Sequence, residues 1–143
     1  MSEVKQISVL LPNVSGALAR LNSILDNDGI WPRAVLQAST AENSQVRLVV
    51  NDPERAESIL QTHNYNYEVT QVLVAEVPVH PGGINALLNP LAAAEINVLY
   101  LYTTINRKGR ETIVILGVDR YDDAAAVLKA NWISLVGDEI YSL

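Results

Sequence analysis

The sequence predicts an α+β protein built from two copies of one βαββαβ unit. Three observations predict it. The chain aligns with itself. Each half carries the same order of strand and helix patterns. The halves meet strand to strand with almost no linker. The self-alignment comes first, because a repeat changes the reading of everything local. At an offset of 66, Gly16 meets Gly82, Leu18 meets Ile84, Leu21 meets Leu87, Leu25 meets Leu91 and Ile30 meets Ile96. After a two-residue insertion the offset becomes 68, and Val46, Leu48 and Val50 meet Val114, Leu116 and Val118. Ala56 and Leu60 then meet Ala124 and Leu128. Charge divides evenly too: of 10 basic and 16 acidic side chains, 5 and 8 fall in each half. The expected domains are therefore residues 1–71 and 72–143.

In the first copy, Val4 to Leu11 is rich in β-formers and reads as a strand. Pro12 to Gly16 is a turn. Leu18, Leu21, Ile24 and Leu25 recur at helical spacing, with Asn13 or Ser15 available as a cap and Gly29 as a stop. Ile30 to Ser39 is the second strand, and Pro32 favours an edge position because it cannot donate to a ladder. Thr40 to Ser44 connects a hairpin. Val46 to Val50 is apolar on both faces and reads as a strand in the sheet centre. Asp52-Pro53-Glu54 opens a helix with a capping carboxylate and proline in the first turn. Its apolar face is Ala56, Ile59 and Leu60. Tyr65 to Gln71 is the fourth strand.

The second copy repeats the order. Val72 to Val79 is a strand, His80 to Gly83 a turn, and Ile84, Leu87, Leu88 and Leu91 mark a helix. Pro90 lies inside that helix and predicts a kink or a late start, at a cost of about 3 kcal/mol. Asn97 to Ile105 and Glu111 to Val118 are strands joined by an Asn106–Gly109 turn. Asp119 to Asn131 holds a helix, and Ile133 to Leu143 is read as the closing strand. With right-handed crossovers, this order gives the ferredoxin-like arrangement, an antiparallel four-stranded sheet with both helices on one face. The strands are apolar on both sides, as in Val98 to Tyr102, which predicts that the second sheet face is covered by another domain or subunit.

Composition narrows the function. The net charge is −6 and the hydrophobic fraction 49%. Disorder and phosphate-neutralising nucleic-acid binding do not fit. The absence of cysteine excludes disulfides, thiolate metal sites and thiol chemistry. No apolar run reaches the roughly 20 residues of a membrane helix, and the start of the chain has no apolar signal core, so a cytoplasmic protein away from membranes is expected. His63 and His80 occupy non-equivalent positions, and neither has a visible nucleophile partner. His63, near a helix end, reads as a solvated histidine favoured by the helix dipole. Arg107, Lys108 and Arg110 read as a solvated hairpin tip. No metal-ligand spacing is present. Gly16 and Gly82 hold the same place in both copies, between first strand and first helix. Such a glycine either serves a tight turn or lets free amides at a helix start face an anion.

Asn13-Val14-Ser15-Gly16-Ala17-Leu18 and His80-Pro81-Gly82-Gly83-Ile84 resemble the first-loop signature of ACT domains: Asn or Asp, a variable residue, Pro-Gly, a variable residue, Leu. Ala94-Glu95-Ile96-Asn97-Val98 resembles the family's passage from first helix to second strand, and Gly29-Ile30 matches its start. The likeness covers the whole chain, twice. It implies a non-catalytic, allosteric regulator without cofactors that binds a small amino acid where ACT domains pair; a homodimer is expected, with a partner enzyme as a further expected contact. Carried over, one site holds Asn13, Ser15, Gly16, Ala17 and Leu18, and the other His80, Gly82, Gly83 and Ile84. Trp31, Ile96 and Asn97 supply strand edges. Ser15 stands where the signature has proline, and Val79 where it has Asn or Asp, so the two loops are not equivalent. A structural module that has lost its ligand is the alternative.

Overall fold

A computed structural model describes residues 3–105 and 111–142, which leaves Arg107, Lys108, Arg110 and the Asn106–Gly109 turn outside the described residues. The chain divides into two compact units: Lys5–Thr70, and Gln71–Leu143 together with the N-terminal residues up to Val4.

The first unit contains β1 (Val4–Pro12), α1 (Ala17–Asp26), β2 (Pro32–Ser39), β3 (Asn43–Val50) and α2 (Pro53–Thr62). It also holds the first part of β4 (Asn66–Pro78), within which the two units divide. Strand order is β2-β3-β1-β4, so β2 is the edge strand that Pro32 predicts. β1 and β3 run antiparallel with Ile7 opposite Leu48 and Val9 opposite Val46. These side chains face the helices and form one core with Leu21, Leu25, Ile30, Ala56 and Leu60. β3 is interior, as its unbroken apolar run predicts, and Val49 on its other side is fully buried.

The second unit continues with the rest of β4, then α3 (Gly83–Ala93), β5 (Val98–Ile105), β6 (Glu111–Val118), α4 (Tyr121–Ala130) and β7 (Ser134–Leu135). Its core holds the repeat partners of the first: Leu87, Leu91, Ile96, Val114, Leu116, Ala124 and Leu128. Val72, Val74, Tyr102, Ile113 and Ile115 are buried as well. Tyr102 pairs with Ile115 in register, while Leu101 opposite Leu116 belongs to the helix side. Leu99 of β5, Val35 of β2 and Leu10 of β1, by contrast, stay exposed.

The structure corrects the sequence reading in four places. Neither Asn13 nor Ser15 caps α1; its N-cap is Gly16 in a left-handed conformation, with no side-chain cap. The fourth strand of the first copy and the first strand of the second are one 13-residue strand, since no turn residue separates them. The closing strand shrinks to Ser134–Leu135, paired with Ala75 and Glu76 of β4, and a 3-10 helix follows at Asp138–Ser142. Gly137 and two acidic residues in succession favour a turn over a continued strand. Finally, α3 starts at Gly83 and runs past Pro90 to Ala93, where Pro90 falls in the last turn and its carbonyl still accepts from Ala94 N–H at 3.1 Å.

All four helices end alike. Gly29, Asn64, Glu95 and Trp132 take positive φ values of 72°, 58°, 58° and 62°. The next residue in each case, Ile30, Tyr65, Ile96 or Ile133, donates its N–H back to Leu25, Leu60, Leu91 or Leu128 at 2.9–3.0 Å. This is the left-handed helix stop that satisfies late carbonyls and turns the chain into the next strand.

Candidate functional site

A cavity of about 470 Å³ lies in the first unit beside Gly16. That is within the range of small-molecule sites. Three segments wall it: the end of β1 with the loop after it (Leu11, Pro12, Val14, Ser15, Gly16), the inner side of α1 (Ala17, Arg20, Ile24) and the turn after α2 (His63, Asn64, Tyr65). The loop is pinned from outside the cavity. Asn13 N–H donates to Glu42 O at 3.1 Å, and Asn13 Nδ2 donates to Thr40 O at 2.9 Å, tying the loop to the β2–β3 connection. Val14 N–H donates to Pro12 O, and Ala17 N–H to Val14 O. Among the described residues, the backbone N–H groups of Ser15, Gly16, Leu18 and Ala19 donate to no protein acceptor. These are donors that a helix start leaves over, and they favour negative charge.

The electrostatics run the same way. Arg20 is exposed, stands one helical turn after Gly16, and meets no acidic partner among the described residues. Arg55 and Arg120, by contrast, pair with Asp28 and Asp123 at 3.3 Å. No carboxylate is among the described residues that line the cavity.

Of the residues expected at a site, the cavity gathers Ser15, Gly16 and Ala17. Asn13 lies in the same loop but spends its amide on Thr40. Leu18 points instead into an apolar groove between α1 and the edge strand, with Leu21, Leu25, Pro32, Val35 and Leu48. Trp31 is half-exposed, its ring lies 3.8 Å from the Arg33 guanidinium, and its N–H donates to Asn51 Oδ1 at 2.9 Å.

In the second unit, His80, Gly82 and Ile84 are exposed. Gly82 caps α3 at φ 90°, as Gly16 caps α1 at φ 85°. Gly83 N–H is engaged by His80 O at 3.1 Å. A Cβ on Gly83 would sit 2.3 Å from Pro78 O, so glycine is needed there for helix and strand to approach. Ile96 is a buried core residue, and Asn97 N–H donates to Asp119 Oδ1 at 3.1 Å.

Sequence reasoning did not bring Arg20, Asn64 and Tyr65 to this loop, and it read His63 as a solvated helix-end residue. Arg20 was findable: four residues after Gly16 on a helix lies the same face. The other three arrive through the fold, because the end of α2 returns to the end of the sheet where the first loop lies.

Repeat and fold together define a pair of ferredoxin-like units. The ACT domain pair family matches residues 2–142, and the chain belongs to that family. No functionally curated protein matches it. Among solved structures it is similar to protein BT0572 from Bacteroides thetaiotaomicron, at 27% identity and TM-score 0.92 over 99% of this chain and 97% of that one. It shares its fold with the ligand-free regulatory subunit of aspartate kinase from Thermus thermophilus, at 14% identity and TM-score 0.63 over 92% and 93% of the chains. The corresponding subunit from Thermus flavus gives 15% identity and TM-score 0.61 over 92% of each chain.

Proposed function

We propose that this protein is a non-catalytic regulator that senses a small amino acid at its first ACT loop. The observation that carries the reading is the cavity beside Gly16, where unpaired backbone N–H groups and Arg20 adjoin apolar walls. A carboxylate there would take the donors the helix start leaves free, and the apolar wall of Leu11, Val14 and Ile24 would hold a small carbon skeleton. Ser15, Gly16 and Ala17 are the contact residues, with Asn13 holding the loop in shape. Membership of the ACT pair family supports a regulatory role, and so does a fold shared with regulatory subunits.

The sheet edge supports pairing with a second copy. Among the described residues no strand pairs with the outer side of β2, and Leu18, Trp31 and Val35 are exposed around it. An open edge flanked by apolar side chains is a surface for self-association. Ligand binding would then shift the affinity for that copy, or for an enzyme partner. His80, Gly82, Gly83, Ile84 and Asn97 are the second copy's counterpart. The alternative reading, a scaffold that has lost its ligand, suits that copy alone, because Gly83 spends its amide and packs against Pro78.

A thermal-shift screen against the twenty amino acids tests the proposal. Ligand at a hundredfold excess over Kd adds about 2.7 kcal/mol. For a chain of this length that raises Tm by about 5–10 °C. One or two responding amino acids support sensing, and a flat response to all twenty overturns it.

A further inference from the structure

The cavity beside Gly16 has a one-sided charge. Among the described residues its lining includes one charged group, the guanidinium of Arg20, and no carboxylate, with the His63 imidazole on the opposite wall. Arg20 has no acidic partner among the described residues, although other arginines on this acidic chain do. A neutral amino acid offers one carboxylate and brings an ammonium that must also be satisfied. The cavity supplies donors in excess of that single carboxylate, and no anionic side chain for the ammonium. A cation set beside the Arg20 guanidinium meets like charge with no carboxylate at hand to offset it.

We propose that the ligand of this cavity is a small dicarboxylate, with an acidic amino acid as one form and the corresponding diacid without nitrogen as the other. One carboxylate lies against the loop N–H groups at Gly16, and the second against the Arg20 guanidinium, whose planar fork suits it. His63 donates from the opposite wall. Asn64, Ser15 and Tyr65 supply the neutral polar groups left for an amino group. The inference rests on the reading of this cavity as the ligand site and adds the ligand's charge.

The test is isothermal titration calorimetry of the full chain with aspartate, glutamate and succinate, beside asparagine, glutamine and sodium sulfate. The same series is run on Arg20→Ala and Arg20→Lys. Arg20 is exposed and unpaired, so both variants are expected to fold, which circular dichroism checks. The proposal expects aspartate, glutamate or succinate to bind at least tenfold more tightly than the amides. It expects Arg20→Ala to weaken that ligand by about ten- to a hundredfold and Arg20→Lys to recover part of the loss. Succinate matching the amino acids identifies a diacid site without use for nitrogen. Succinate failing identifies an acidic amino-acid site. Binding of a neutral amino acid alone overturns the proposal and leaves the sensor reading standing. Sulfate competing as well as the diacids overturns it as an indiscriminate anion patch. Silence from every ligand overturns the dicarboxylate proposal, while the sensor reading stands or falls with the twenty-amino-acid screen.

Discussion

The two αβ loops hold the same repeat position and differ in what surrounds them. In the first, Gly16 is followed by Ala17, then Arg20, and His63 and Asn64 close the far wall. At the equivalent places the second copy has Gly83, Ala86, Asn131 and Trp132. The charged wall is gone, and the helix start is pulled onto Pro78 so closely that no Cβ fits. A duplicated fold thus keeps its core and diverges at its rim, because core positions are constrained from all sides and loop positions from one. The largest effect that should separate the loops is at this turn. Gly83→Ala should cost about 1–3 kcal/mol by overpacking against the Pro78 carbonyl. Ala17→Gly in the first copy should cost only about 0.5–1 kcal/mol, through helix entropy. Urea denaturation of the two variants measures both, and equal losses would show that the turns are not differently packed.

A second pair shows one hydrogen-bonding task carried out by two different residues. Asn51 donates from Nδ2 to Gly29 O at 2.9 Å and accepts from Trp31 N–H at 2.9 Å. Its repeat partner is Asp119, whose carboxylate accepts from Asn97 N–H but cannot donate. The donation passes to Arg120, which reaches Glu95 O at 3.0 Å and Ala94 O at 3.1 Å. Arg120 itself stands where Asp52 stands in the first copy. Asp52 Oδ1 accepts from Arg55 N–H at 3.2 Å and caps α2, whereas Arg120 makes no side-chain cap for α4. Asp52→Ala should therefore cost about 1 kcal/mol, as loss of a cap. Arg120→Ala should cost less, since the bonds it makes are exposed and the Glu95 and Ala94 carbonyls regain water.

The core was legible because it is periodic. Leu21, Leu25, Val46, Leu48, Ala56 and Leu60 and their repeat partners were identified by spacing alone, and each is buried. The Asp52 cap was legible because a carboxylate before Pro53 has few other roles. What escaped had no local signal. Asn13 carries the right chemistry for a cap, yet Thr40 O, 27 residues on, takes its amide. The residues Ile133 to Leu143 have the apolarity of a strand, and Gly137 ends it after two residues. The cavity was half legible: the glycine loop shows in sequence, while His63, Asn64 and Tyr65 reach it only through tertiary folding.

Trp132 is the place where the second copy keeps the shared geometry with an ill-suited residue. It occupies the left-handed stop of α4 at φ 62° and is 94% exposed. Asn64 fills the same stop in the first copy, and asparagine tolerates that conformation far better than a bulky aromatic. Trp132→Asn should stabilise the chain by about 0.5–1 kcal/mol, since no burial is lost and backbone strain is relieved. Thermal melts of the variant and of the reciprocal Asn64→Trp should move in opposite directions.

The smallest effect concerns Tyr121, at the start of α4, which has no tyrosine counterpart at Pro53. Burial raises its pKa above the ordinary 10.0, with Glu3 and then Asp122 adding to the rise, while a hydrogen bond with Gln71 opposes it. The sign follows from proton binding. Above pH 10 the unfolded chain gives up this proton first, so the folded chain holds more protons and loses stability as pH climbs toward the folded pKa. Below pH 10 the contribution is fully present. Tyr121→Phe removes a titrating group while keeping the ring, so its stability should fall less steeply between pH 10 and 11 than that of the parent. Denaturation midpoints across that window give the comparison, and parallel curves would mean that the Tyr121 hydroxyl titrates alike in the folded and unfolded chain.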